Sequence, residues 1–124
     1  MDTLSKFTIP AILLILTLAF GFWLSSTGKP YNGILFNLHK LIALGGVIYT
    51  VWQFSLWLNV ANAPLALSVL LVMAALCVIV LFASGGLLSA GKLDYALMLT
   101  IHRVGLAALV VVLGAVVLLL EKTV

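Results

Sequence analysis

The two histidines of this chain, His39 and His102, both lie inside long apolar runs. An ionisable side chain in such a run is costly to place and marks a functional position by default. Each histidine is followed directly by a cation, Lys40 and Arg103, and each stands ten residues after a Gly-Lys pair, Gly28-Lys29 and Gly91-Lys92. Two imidazoles facing one another across a helix bundle suit the two axial positions of a haem iron, because neutral histidine nitrogen is the commonest metal ligand. Lys40 and Arg103 would then pair the two propionates of a b-type haem, with Lys29 and Lys92 at the same membrane face. Only two histidines are present, so bis-histidine ligation allows one haem b per chain. Met73 and Met98 are further possible axial ligands, and Met98, one turn before His102, is more simply packing.

The elements that position these residues are legible from composition. Of 124 residues 65% are hydrophobic and 7% charged, with mean hydropathy +1.38, which leaves too few polar groups to clothe a soluble domain. A lipid bilayer removes that need. Four apolar segments run roughly over Ile9–Leu24, Gly33–Leu58, Pro64–Ala83 and Tyr95–Leu120. About 20 helical residues cross a hydrocarbon core of about 30 Å. Backbone amides in lipid must be paired internally, so the segments are helices. The expected fold is all-α, an integral membrane four-helix bundle. Pro10 and Pro64 are expected in first helical turns, with Asn62 as a cap before Pro64 and Asp94 as a cap for the fourth helix. Turns are expected at Ser25–Pro30, at Asn59–Asn62, and from Ser84-Gly85-Gly86 to Lys92. Trp23, Tyr31 and Tyr95 mark one membrane face, and Trp52 and Trp57 the other. Cys77 is a small core residue. The six cations are scattered, so no nucleic-acid surface is expected.

A shift of 63 residues lays Ser26-Thr27-Gly28-Lys29 on Ser89-Ala90-Gly91-Lys92, Asn37 on Thr100, His39 on His102 and Lys40 on Arg103. Agreement among rare polar residues carries more weight than agreement between apolar ones. The expected organisation is one transmembrane domain built from two parallel-repeat helical hairpins, about 1–61 and about 64–124. A pseudo-twofold axis along the membrane normal would put both histidines about 10 Å below the surface. The same symmetry argues against reading the first segment, with Lys6 and the small residues after it, as a cleaved leader. Ala43 and Gly46, on the face of His39, and Gly105, near His102, would let a disc pass the backbone; close helix packing is an equal explanation.

The strings Asn37-Leu38-His39-Lys40 and Thr100-Ile101-His102-Arg103 resemble the small four-helix b-type cytochromes of bacterial membranes, in the broad style of cytochrome b561-like proteins. The likeness covers the whole chain in topology and only these residues in motif. It implies a haem-bearing electron carrier in the bacterial cytoplasmic (inner) membrane. Typical members carry four histidines and two haems; this chain has two histidines, which puts transmembrane electron transfer in doubt. The expected function is electron exchange at the haem-side surface with a quinol or quinone, a small oxidant or a redox partner protein, in the manner of a haem-dependent membrane oxidoreductase. The principal alternative is a non-haem accessory or assembly subunit of a larger membrane complex, as a homo- or hetero-oligomer. Separate chlorophyll ligation by each histidine and a small proton-coupled transporter are two others. Lys29, Lys40, Lys92 and Arg103 against Lys6 and Lys122 favour cytoplasmic first and third loops; if Lys40 and Arg103 serve propionates, the two sides tie. The haem side is expected, by a narrow margin, in the cytoplasm.

Overall fold

The computed structural model describes residues 3–28, 30–59 and 62–123; Lys29 lies outside them, as does the side chain of Trp57. The fold is all-α. Four helices follow in order: α1 (Thr3–Thr27), α2 (Gly33–Trp57), α3 (Leu65–Ala90) and α4 (Tyr95–Thr123). They have 25, 25, 26 and 29 residues, so at about 1.5 Å per residue each exceeds the thickness of a hydrocarbon core. All four are long and apolar enough to cross a membrane. Most of their large apolar side chains face outward, Val111 at 71% and Ile34 at 73% exposure among them. Such surfaces are expensive in water and ordinary in lipid, so this is the construction of a multi-pass membrane protein.

The chain divides into two compact units, residues 1–59 and 60–124. In the first, α1 and α2 form an antiparallel hairpin. Phe7 near the start of α1 meets Phe54 near the end of α2, with ring centroids 5.7 Å apart. Midway, Gly46 lets the helices approach: a Cβ built on it would lie 3.5 Å from Leu13 Cβ. In the second unit, Ala74 of α3 packs with Leu109 and Val112 of α4, flanked by Leu70, Cys77, Val78, Leu81 and Leu113. Gly105 is the close approach here, its missing Cβ 3.4 Å from Val80 Cγ1 and 3.6 Å from Leu81 Cδ2. Gly46 and Gly105 therefore serve helix packing within their own hairpins, where small residues bring backbones into van der Waals range.

The ends of the helices follow local chemistry. Gly28 and Gly91, 63 residues apart, end α1 and α3 with φ of +68° and +67°, a conformation that a Cβ disfavours. Asn32 caps α2, its side-chain oxygen accepting from the amides of Ile34 at 2.9 Å and Leu35 at 3.3 Å. Asp94 does the same for α4, accepting from Ala96 N at 3.2 Å, as the sequence suggests.

Three expectations are corrected. Pro10 lies inside α1 rather than in its first turn, because the helix begins at Thr3. Pro64, not Asn62, is the cap of α3; it has no side-chain oxygen, and its extended φ/ψ of −55° and 147° starts the helix. The third turn does not begin at Ser84-Gly85-Gly86. The helix α3 runs through these residues to Ala90, and the turn shrinks to residues 91–94. In water that triplet would break a helix. In lipid the intrahelical bonds cannot be traded for water, and small residues become packing sites instead.

Candidate functional site, two helix-anchored imidazoles

His39 is the seventh residue of α2 and His102 the eighth of α4, so each lies about 10 Å along its helix from the preceding turn. Each imidazole is half-buried and turned toward the first helix of its own hairpin.

In the first unit, His39 Nδ1 lies 3.0 Å from the backbone carbonyl oxygen of Thr17 on α1. A carbonyl can only accept, so Nδ1 donates and the neutral ring carries its lone pair on Nε2. The approach is possible because residue 21, one turn further along α1, is glycine. A Cβ there would lie 3.0 Å from His39 Cε1 and 3.4 Å from Nδ1.

In the second unit, His102 Nδ1 lies 2.9 Å from Ser84 Oγ on α3. Ser84 is 3% exposed, the buried polar side chain among the described residues. Its hydroxyl also reaches Leu81 O at 3.2 Å; with its proton given there, the oxygen has a lone pair to accept from Nδ1–H. Gly85 provides the room, with its missing Cβ 3.4 Å from His102 Cε1. The pairs Gly21–His39 and Ser84–His102 are again separated by 63 residues, so both hairpins bring the same two positions together.

Metal-ligating histidines take this form, Nδ1–H bound to a protein oxygen with the lone pair on Nε2; His39 has it, and His102 has it when Ser84 donates to Leu81 O. Each hairpin supplies one imidazole, a ligand type that a haem iron takes. No group of three or more His, Cys, Asp or Glu that would hold a bare ion occurs among the described residues.

The cations lie as follows. Lys40 is exposed, and its Nζ stands 4.2 Å from the centroid of the Phe36 ring, one turn back toward the start of α2. That direction is toward the membrane face, as snorkelling requires. Arg103 and Lys92 are exposed near the start of α4. Met98 is 9% exposed and packed, whereas Met73 is 46% exposed on α3. Thr17, Gly21, Ser84 and Gly85 escape a reading of the sequence. The signal available was the pair Gly21/Ser84, two small residues at the same offset as the histidines.

No protein family, curated protein or solved structure matches the chain.

Proposed function

We propose that this four-span membrane protein is a b-type cytochrome in which His39 and His102 are the axial ligands of a single haem, with Lys40 and Arg103 pairing its propionates. The observation that carries this reading is the common placement of the two imidazoles: each has Nδ1 within hydrogen-bond distance of an oxygen on the neighbouring helix, beside a glycine, and a proton on Nδ1 there leaves the ring lone pair on Nε2. A haem bound there supplies reversible one-electron redox chemistry. The chain's own part is to hold both rings in one tautomer, to keep water from them, and to balance the propionate charge at the membrane face. The electron is exchanged with a quinol, a small oxidant or a redox protein, and the membrane is the bacterial cytoplasmic membrane.

One observation favours a second reading. Each histidine already bonds the other helix of its own hairpin, so the pair would also serve as clasps in a non-haem accessory subunit of a larger complex. Spectra of the chain purified in detergent from haem-supplemented cells decide between them. Oxidised and dithionite-reduced samples should show a low-spin b-type spectrum that is lost in both His39→Ala and His102→Ala. A colourless wild-type protein refutes the cytochrome.

A further inference from the structure

The two imidazoles are held by different chemistry. His39 bonds a main-chain carbonyl, that of Thr17, at 3.0 Å. This acceptor belongs to the helix itself and cannot donate, so it admits one tautomer of the neutral ring. His102 bonds a side-chain hydroxyl, that of Ser84, at 2.9 Å. Position 84 corresponds, at the 63-residue offset, to Gly21, which has no side chain to intervene. At 84 the hydroxyl stands between the imidazole and the backbone, passing the bond on to Leu81 O at 3.2 Å.

We infer that Ser84 is a positioning residue for His102, holding by a side chain the ring that the backbone holds at His39 and biasing it to the same tautomer through its own bond to Leu81 O, so that the two ligands are inequivalent. The inference rests on the haem reading for its redox consequence, but its geometric part does not. A hydroxyl both donates and accepts. With its proton directed to Leu81 O, Ser84 takes the bond from Nδ1–H. These two bonds are cooperative: a hydroxyl that donates to a carbonyl is a better-oriented acceptor. The chain Nδ1–H···Oγ–H···O=C makes the His102 ring more electron-rich and favours the oxidised metal. Rotation of the one hydroxyl bond would turn Ser84 into a donor toward Nδ1 and move the ring proton to Nε2, which would then bind no metal. The carbonyl at His39 permits no such reversal. Ser84 is buried at 3% exposure, so water does not readily take over its part.

The test uses the full chain in detergent, 15N-labelled at histidine. In the haem-free wild type both rings should report the Nδ1–H tautomer. Ser84→Ala should shift His102 toward a mixture with Nε2–H and leave His39 unchanged, and Ser84→Thr, which keeps the hydroxyl, should restore it. Ser55→Ala, whose hydroxyl bonds Trp52 O of its own helix, is the control and should change neither ring. In haem-loaded protein, Ser84→Ala should raise the midpoint potential by about 59 mV, which corresponds to a tenfold loss of preference for the oxidised form. Haem uptake with neither the tautomer nor the potential altered in Ser84→Ala overturns the assignment of Ser84. A tautomer change in Ser84→Ala, together with a wild type that takes up no haem, instead overturns the cytochrome reading and supports the role of Ser84 in holding the ring.

Discussion

Replacement of Gly21 by alanine tests how the site is built. The new Cβ would lie 3.0 Å from His39 Cε1, 3.4 Å from Nδ1 and 3.8 Å from Nε2. Carbon atoms rest about 3.5–4.0 Å apart, so the ring must retreat by about 0.6 Å. It is bound at 3.0 Å to Thr17 O on the same helix, so retreat from α1 stretches that bond past the useful range of about 3.2 Å. Overpacking of this kind costs about 1–3 kcal/mol, which is about 5- to 150-fold in affinity for a ligand that needs the undisturbed ring. Helix propensity works in the opposite direction, since alanine is favoured over glycine by about 0.8–1 kcal/mol. The expected phenotype is therefore a folded helix with weakened ligand binding. Gly85→Ala is the matched comparison: its Cβ would meet His102 Cε1 at 3.4 Å, close to ordinary contact, so the loss should stay under about threefold. The assay is absorbance titration with haem, with the 15N shift of His39 Nδ1 as a readout that needs no haem. Equal haem affinity in the two variants, with His39 Nδ1 undisturbed in Gly21→Ala, would refute the reasoning.

Two further predictions concern the frame around the site. Asn32→Ala removes the acceptor of two amides and Asp94→Ala that of one, so each should destabilise its hairpin by about 0.5–2 kcal/mol, Asn32→Ala by more, as read from unfolding in mixed micelles. Ser26→Cys and Asn59→Cys, made on a Cys77→Ala background, should label from opposite sides of the membrane with an impermeant reagent, since one span separates them; labelling from one side would break the four-span topology.

Much of the architecture needs no tertiary information. The starts of α2 and α4 fall at Gly33 and Tyr95, where the apolar runs begin, because a bilayer makes hydropathy and length sufficient to define a helix. The ends of α1 and α3 were harder. At α1 the helix extends to Thr27, beyond the apolar run, because Gly28 with positive φ, and not the loss of hydropathy, terminates it. At α3 the Ser84-Gly85-Gly86 triplet has the composition of a turn. Whether it is one depends on what packs against it, and the neighbour is His102.

The sequence by itself determined that four apolar segments cross a membrane, that the histidines are two and lie equally deep from their turns, and that a 63-residue offset relates them. These properties reside in composition and spacing, which lipid converts directly into helices. Only the tertiary structure decided which way each imidazole turns and what holds it. Thr17 is 22 residues from His39, and Ser84 is 18 from His102, so neither partner follows from helical periodicity. Each depends on the register between two antiparallel helices, which close glycine contacts set. That register gives His39 a carbonyl and His102 a hydroxyl, and it makes two histidines that look alike in the sequence chemically distinct.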